Sequence, residues 1–273
     1  MNPISVNELT ESVNSNLPRD IKSTIAKNIL AEEKDSDVAK NIFSELINDL
    51  SSKTQREVVN ATGTVLHTNL GRSPNNISFS GSYTNIEYDL KTLSRGKRNE
   101  YLSVLMNNLI GSKDIAFVNN NASSLFLSLK AISKSHNIQN VIISRGEIIE
   151  IGGSYRLPEI INETGLNLVE IGTTNKTKLS DYRKALEKYP NSLILKVHRS
   201  NFSINGFTED VSIEELAELK NKFDVFLFHD LGSGLVIDKK FLEINNISIF
   251  KDEPFVQDSL SDGANLVMFS GDK

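Results

Sequence analysis

Short apolar runs alternate with helical segments from about residue 110 onward, and this alternation restricts the fold more than any other feature. Most of these runs lack polar alternation, which is typical of strands covered on both faces. The pattern predicts an α/β domain with a mainly parallel sheet. The predicted strands are Ile115 to Val118, Val141 to Ser144, Leu166 to Ile171, Leu193 to Val197, Val225 to His229 and Leu266 to Phe269. The predicted helices are Ala122 to Ser135, Asp181 to Tyr189 and Ser212 to Lys222.

The first 55 residues follow a different pattern. Apolar residues recur at helical spacing from Val6 to Leu50, which predicts two or three short amphipathic helices. Up to Arg56 the chain has seven Lys and Arg against nine Asp and Glu, so charge alone gives no sign of RNA binding. Residues 1–55 are therefore interpreted as a small appended domain, with a packing or oligomerisation arm as the alternative.

Composition excludes several classes of function. The chain has no cysteine, which excludes disulfides and thiolate metal sites and fits a reducing compartment. Its four histidines lack zinc-ligand spacing, so no metal site is expected. The net charge of -5 argues against indiscriminate nucleic-acid binding, and no DNA partner is expected. No apolar stretch approaches the roughly 20 residues that span a bilayer, so a cytoplasmic protein without a membrane partner is expected.

Two predicted strands end next to residues that suit pyridoxal-phosphate chemistry. Lys273 follows the last apolar run, where a lysine amine could form a Schiff base with the cofactor. Asp230 ends an earlier run, where a carboxylate could keep the pyridine nitrogen protonated. Ligands of parallel sheets bind at the carboxyl ends of strands, so one crevice could hold both residues. A solvated surface lysine is the alternative for Lys273.

A small polar loop could bind the phosphate of the same cofactor. Asn121, Ala122 and Ser123 link an apolar run to a predicted helix, whose first backbone N–H groups form a natural anion site. Ser270 could add a hydroxyl group to that site. The alternative is an ordinary N-cap with asparagines in a turn.

A series of longer motifs gives a resemblance to a known family. In chain order the motifs are VVNATGTVLHTNLGRSP, YDLKTLSRGKR, FVNNNASS, SRGEIIEIGGSYRLP, EIGTTNKT, LKVHRSNFSINGF, HDLGSG and FSGDK. The series closely resembles the bacterial L-seryl-tRNA(Sec) selenium transferases, from about residue 56 to the last residue. The first 55 residues occupy the place of the family's tRNA-binding domain without a diagnostic motif of their own.

The resemblance implies a fold-type I pyridoxal-phosphate enzyme, with residues 56–273 as an incomplete large domain. It implies that Lys273 forms the Schiff base, Asp230 pairs with the pyridine nitrogen and Asp272 takes part in catalysis. The implied reaction converts L-seryl-tRNA(Sec) to L-selenocysteinyl-tRNA(Sec) in selenocysteine biosynthesis: loss of the hydroxyl group gives a dehydroalanyl intermediate, to which selenium from selenophosphate adds. The implied assembly is a homo-oligomer of dimers, expected to form a decameric ring.

An anionic selenium donor needs cations and hydroxyl groups in the site. The candidates are Arg72, with Arg95 and Arg98 behind it, and the hydroxyl groups of Thr173 and Thr174. The alternatives are surface salt bridges for the arginines and turn positions for the threonines. His198 could stack on the cofactor ring or orient substrate, with a buried structural histidine as the alternative. For Glu147 and Arg156, an intersubunit salt bridge is the default expectation.

The sequence departs from the family at one point, because the family continues well beyond the Schiff-base lysine. We therefore expect a partial chain whose sheet has a gap and unpaired strand edges. Expressed alone, the 273-residue chain is expected to be inactive and poorly behaved. Two further hypotheses stay open: a related pyridoxal-phosphate lyase acting on a small amino acid or amino sugar, and a non-catalytic fragment or binding module.

Overall fold

The structure is a computed structural model that describes residues 4–52, 57–74, 78, 81–237, 239–247 and 253–273. The chain divides into two compact units, residues 1–63 and residues 64–273. The sequence places this boundary slightly earlier, after residue 55.

In its described part, the first unit consists of helices α1 (Val6–Glu11), α2 (Arg19–Glu32) and α3 (Ser36–Ser52), as the apolar spacing predicts. A capping box between Ser5 and Glu8 begins α1. Helix α2 starts directly after Pro18, whose missing N–H group costs nothing at a helix start. The buried core of the unit is made by Leu9, Ala26, Phe43 and Ile47.

The second unit begins with a short 3₁₀ turn, Thr68–Leu70, followed by a mixed series of elements. In chain order these are β1 (Tyr88–Asp89), β2 (Ser94–Arg95), α4 (Glu100–Ile110), α5 (Asn121–His136), β3 (Asn140–Ser144), β4 (Glu150–Ile151), β5 (Tyr155–Arg156), α6 (Leu157–Glu163), β6 (Asn167–Ile171), α7 (Leu179–Lys188), β7 (Ser192–Val197), α8 (Ile213–Phe223), β8 (Phe226–Asp230), α9 (Lys239–Ile244), α10 (Val256–Ser261) and β9 (Leu266–Met268). Helix α8 opens with a capping box between Ser212 and Glu215.

A parallel sheet forms the centre of the second unit. Its described strands pair in the order β6-β3-β7-β8-β9, and every pairing in it is parallel. The register sets Val197 beside Asp230, and Asp230 beside Met268. The carboxyl ends of β7, β8 and β9 therefore lie side by side at one edge. The predicted α/β class with a mainly parallel sheet is confirmed.

Helices cover both faces of this sheet. Successive residues of a strand point to opposite faces, so neighbouring residues of β3 lie in different cores. Val141 and Ile143 of β3 pack in one core with Leu129 of α5. Ile142, between them, packs in a second core with Leu216 of α8. This double coverage explains why the strand sequences are continuously apolar.

The predicted strand from Ile115 to Val118 is wrong. The segment has no regular strand pairing in the described structure, and Phe117 and Val118 are 43% and 39% exposed. An apolar run forms a strand only when it pairs with a neighbouring strand. In the described sheet the edge strand β9 pairs with β8 alone, so the segment from Ile115 to Val118 has no pairing there. Ile115 packs instead against a small apolar cluster of Ile110, Leu231 and Val256.

Two features are absent from the described residues. No helix among them has the length and apolarity needed to cross a bilayer. Within the same ranges, no group of three or more His, Cys, Asp or Glu side chains could hold a metal ion.

Candidate active site

Asp230 lies at the carboxyl edge of the sheet, on the strand between β7 and β9. It is the last residue of β8, and it is only 4% exposed. Its Oδ1 accepts hydrogen bonds from Asn121 Nδ2 and from the amide of Gly232, each at 2.9 Å. Burial raises the pKa of Asp230 to about 6, although both hydrogen bonds and the charge of Lys273 oppose this rise. The carboxyl group is thus fixed in position and is costly to ionise without a cationic partner.

The loop after β8 is shaped to deliver one of these hydrogen bonds. Gly232 has a φ of 66°, and a Cβ atom there would lie 2.6 Å from Ser200 Oγ. Only glycine fits both the left-handed backbone and the close approach. Gly232 also accepts a hydrogen bond from the Ser270 amide at 3.0 Å, which ties the β8 loop to the segment after β9.

The start of α5 contributes the other hydrogen bond. Asn120 is the N-cap of α5, and its Oδ1 accepts a hydrogen bond from the Ser123 amide at 2.8 Å. The Ser123 amide is therefore used in an ordinary N-cap, and phosphate binding by Ser123 stays a prediction. The Asn121 side chain turns to Asp230, and its Oδ1 is buried without a hydrogen-bond partner in the structure. Ala122 lies in the first turn of α5, between these two residues.

Lys273 lies close enough to these groups to respond to their charges. Partial burial and the charge of Arg72 lower its pKa, while Asp272, Asp230 and Glu253 oppose the change. Ser270, three residues earlier, is buried. A lysine with a lowered pKa has a larger neutral fraction, and the neutral amine is the nucleophilic form.

Arg72 reaches the same place from a distant part of the sequence. Its Nη1 contacts both carboxylate oxygens of Asp272, at 3.1 and 3.0 Å. Gly71 and Arg72 both have positive φ angles, 82° and 61°, so a tight turn aims this side chain. The structure therefore brings Arg72 together with Asp272 and Lys273.

His198 joins the site from the end of β7. Its amide donates to the Asp230 carbonyl oxygen at 2.8 Å, and its Nε2 lies 3.6 Å from Glu253 Oε2. Burial lowers the pKa of His198, with Glu253 acting in the opposite direction. Sequence reasoning missed Glu253, because a lone carboxylate before a short helix carries no local pattern.

A model of the L-seryl-tRNA selenium transferase family matches residues 58–273 of this chain. The chain belongs to this family. Curated L-seryl-tRNA(Sec) selenium transferases are similar to it: that of Campylobacter fetus is 39% identical over 265 residues, covering 93% of this chain and 58% of the relative. That of Aliarcobacter butzleri is 40% identical over 277 residues, covering 94% and 59%. The chain thus spans less than three fifths of the length of these relatives.

Likeness to solved structures is weaker than the likeness to this family. The structure of D-glucosaminate-6-phosphate ammonia-lyase aligns with a TM-score of 0.48 at 15% identity, covering 63% of this chain and 43% of that chain. Similarity at this level says nothing about activity.

Two arginines that match the family motifs lie apart from the site. Arg95 and Arg98 both pair with Glu87, at 3.7 and 2.8 Å. They are 84% and 68% exposed at the side chain, and no described contact joins them to Lys273 or Asp230. For both residues the structure contains the surface salt bridge that was the alternative.

The two threonines of the family motif GTTN line a small cavity with Arg199 and Asp210. Thr173 closes a turn, because its amide and its hydroxyl group both donate to the Lys176 carbonyl oxygen, at 2.8 and 3.1 Å. The turn alternative therefore holds for Thr173. The described contacts do not join either threonine to Arg72.

Glu147 and Arg156 do not need a second subunit for their ion pairs. Glu147 is fully buried, accepts from Lys196 Nζ at 2.5 Å and accepts from the Val197 amide at 2.9 Å. Arg156 is exposed and pairs with Glu150 at 2.8 Å on the neighbouring strand. Both observed pairs lie within one chain, so the buried Glu147 is paired inside its own subunit, whereas an intersubunit salt bridge of the exposed Arg156 stays a prediction.

Lys196 and Glu147 belong to a larger, partly buried network that the sequence did not reveal. Lys196 Nζ also contacts Asp210 Oδ1 at 2.6 Å, and Asp210 Oδ2 accepts from Arg199 at 2.9 Å. Burial raises the pKa of Glu147 to about 7, against the charge of Lys196. Lys196 lies on β7, and His198 follows the last residue of that strand. The network therefore helps to fix the end of β7 from which His198 extends.

Proposed function

We propose that this chain carries the cofactor site of an enzyme that converts L-seryl-tRNA(Sec) to L-selenocysteinyl-tRNA(Sec), with selenophosphate as the selenium donor. The observation that carries the proposal is the buried Asp230 carboxyl group, held by Asn121 and Gly232 at the sheet edge where Lys273 lies. Membership of the L-seryl-tRNA selenium transferase family supports the same reaction.

The residues at this edge fit pyridoxal phosphate. Both described hydrogen bonds to the Asp230 carboxyl group end on Oδ1, so Oδ2 can accept from a protonated pyridine nitrogen. The buried Asn121 Oδ1, which has no partner among the described residues, is a further acceptor beside it. When bound, pyridoxal phosphate supplies an electron sink for the bonds of the substrate α-carbon. Asp230 would hold the ring nitrogen, Lys273 would hold the aldehyde carbon, and Ser270 with Asn121, Ala122 and Ser123 would lie on the phosphate side.

The other residues of the site then have distinct tasks. The Lys273 amine, whose pKa is lowered by burial and by Arg72, can accept the proton from the seryl α-carbon. Loss of the hydroxyl group leaves a dehydroalanyl group, to which selenium adds. Arg72 suits the anionic donor, because a guanidinium group binds phosphate-like oxygens in a planar fork. Asp272 keeps Arg72 at the site until the donor binds.

The tRNA and the assembly belong to the same proposal. We expect residues 1–55, which occupy the place of the family's tRNA-binding domain in the sequence, to bind the tRNA, although their charge gives no sign of RNA binding. A cytoplasmic homo-oligomer of dimers, with a decameric ring as the expected form, completes the proposal.

Covalent trapping tests the assignment of the cofactor. The full-length protein, loaded with pyridoxal phosphate and reduced with borohydride, should carry the reduced cofactor on Lys273 in a peptide mass spectrum. Lys273→Ala should lose the modification, and Lys188→Ala, on the exposed end of α7, should keep it. A modification on another lysine, or none at all, contradicts the proposal.

A further inference from the structure

A cavity of about 650 Å³ opens at the carboxyl ends of β7 and β8. His198, His229, Lys196 and Glu253 contribute polar side chains to its wall. The backbone of His198 is hydrogen-bonded to Asp230, so the cavity lies directly beside the proposed cofactor site. A seryl group attached there would have space on this side for its β-hydroxyl group.

In this wall His198 and Glu253 lie side by side as a dyad, and each of the two residues makes a further hydrogen bond that holds it in place. The His198 amide is held by the Asp230 carbonyl oxygen at 2.8 Å. Glu253 Oε2 accepts from Ser233 Oγ at 3.0 Å and lies 3.6 Å from His198 Nε2. Ser233 belongs to the same loop as Gly232, so the loop that holds the Asp230 carboxyl group also holds Glu253.

The charges around His198 decide its protonation. Burial lowers its pKa, and the cations Arg199 and Lys196 act in the same direction. The carboxylates Glu253 and Asp210 oppose them, with Glu253 the stronger of the two. The neighbouring His229 is buried, and its own pKa is lowered to about 3, so it stays neutral near pH 7. Because its pKa is lowered, a protonated His198 is a stronger acid than an imidazolium in water. Glu253 limits this lowering, so His198 can still take up a proton.

We propose that His198, oriented by Glu253, is the general acid that protonates the β-hydroxyl group of the seryl substrate as it leaves. This inference rests on the proposed function. Hydroxide is a poor leaving group, whereas water leaves readily, so the step needs a positioned proton donor.

The bonds and charges of this step balance without an added reagent. The electron pair of the Cα–H bond becomes the second bond between Cα and Cβ, and its proton passes to the Lys273 amine. The Cβ–O bond breaks, its electron pair leaves on oxygen, and the His198 proton converts that oxygen to water. His198 is left neutral, and the next proton comes from solvent through the cavity.

The first test measures the dyad without substrate or cofactor. The pKa of His198 in the cofactor-free full-length protein is followed by NMR of the histidine side chains, with His198→Gln to assign the signal and the exposed His136 as the internal reference. Glu253→Gln should lower the pKa of His198, because Glu253 is the carboxylate that raises it most. An unchanged His198 pKa overturns the dyad, whatever the chain catalyses.

The second test separates acid catalysis from a structural role by changing the leaving group. The full-length enzyme and His198→Gln are compared on seryl-tRNA and on the same tRNA charged with β-chloroalanine, because chloride leaves without a proton. Elimination from seryl-tRNA should fall about 10²-fold or more in the variant, whereas elimination from the chloro substrate should change by less than about threefold. Glu253→Gln should lower the rate of elimination from seryl-tRNA by a smaller factor. That factor should increase as pH rises, because the variant's His198 loses its proton at lower pH.

The possible outcomes are distinct. Equal losses on both substrates assign His198 a packing role and overturn the inference. Full activity of His198→Gln on seryl-tRNA overturns it as well. If the wild-type enzyme eliminates from neither substrate, the proposed function itself has failed, and the NMR result still decides whether the dyad exists.

Discussion

Arg72 and Asp272 form an ion pair across a separation of 200 residues, with Arg72 Nη1 within 3.1 Å of both carboxylate oxygens. The two residues act on the Lys273 amine in opposite directions, because Arg72 lowers its pKa and Asp272 raises it. The pair therefore influences the protonation of Lys273.

Substitution of either partner should shift the titration of Lys273 with opposite sign. Arg72→Ala removes a nearby cation, so the pKa of Lys273 should rise. Asp272→Asn removes a nearby anion, so it should fall. The pH dependence of cofactor absorbance in the loaded full-length protein measures both changes. Arg95→Ala, at an exposed arginine paired with Glu87, is the matched control and should leave the titration unchanged.

Asp230→Asn should separate stability from catalysis. Burial raises the pKa of Asp230, so its ionised form destabilises the folded chain above about pH 6 when no cation faces it. Asparagine keeps an oxygen that accepts hydrogen bonds from Asn121 and Gly232, but it carries no charge. The cofactor-free variant should therefore melt at the same temperature as cofactor-free wild type, or at a higher one. Turnover should fall about 10²-fold or more, because a neutral pyridine is a poor electron sink. Calorimetry and turnover assays on the same preparation check both, and near-normal turnover would refute the role of Asp230.

Glu147 should make the stability depend on pH in a defined window. Its pKa is raised from 4.5 to about 7 by burial, so the folded chain binds its proton more tightly than the unfolded chain. The contribution of Glu147 is full below pH 4.5 and is lost as pH rises through about 7. The free energy of unfolding of wild type, minus that of Glu147→Gln, should therefore decrease across this window and then level off.

Urea unfolding at several pH values measures this difference. His229, whose pKa is lowered to about 3, contributes in the opposite sense, with stability present above pH 6.5 and lost as pH falls. It is present in both proteins and cancels in the subtraction. A difference that does not vary with pH would show that Glu147 stays ionised in the folded chain.

Lys196→Met should be strongly destabilising because it leaves Glu147 buried without its cation. Breaking a buried ion pair from one side costs about 3–5 kcal/mol, and urea unfolding should show a loss of this size. The double variant Lys196→Met/Glu147→Leu should recover most of it. Lys188→Met, at an exposed site, should change stability by less than about 0.5 kcal/mol. A single variant as stable as wild type would contradict the description of this network.

Deletion of residues 1–55 from the full-length protein should weaken binding of seryl-tRNA and leave cofactor absorbance unchanged. The reason is that the helical unit has its own core of Leu9, Ala26, Phe43 and Ile47, separate from the sheet that carries Lys273. Filter binding and absorbance spectra test the two halves of the prediction. Unaltered tRNA affinity would favour a packing arm for these residues.

The sequence was informative wherever a local pattern determines structure. Continuous apolar runs predicted the buried strands β3 and β7, and strand ends predicted the position of Asp230. The run from Ile115 to Val118 has the same composition but lacks a neighbouring strand in the described sheet, and no local pattern reports that difference. Pairing is a property of the whole sheet, so this strand could not be judged from its own residues.

The candidate site shows the same limit. Asp272 and Arg72 were each singled out, yet nothing in either motif indicates that they meet. Glu253 was missed altogether, because its role depends on His198 and Ser233, which come from other loops. Thr173 was assigned to substrate from its residue type, whereas its hydroxyl group is used by its own turn.

The distance in sequence between Arg72 and Asp272 also has a consequence during protein synthesis. Ribosomes add about 5–20 residues per second, so Arg72 leaves the ribosome about 10–40 s before its partner. Throughout that interval the guanidinium group has no carboxylate from the SGDK segment to bind, and the first unit has time to fold completely. The Arg72–Asp272 pair can thus form only after the sheet strands β3, β6, β7 and β8 have already emerged.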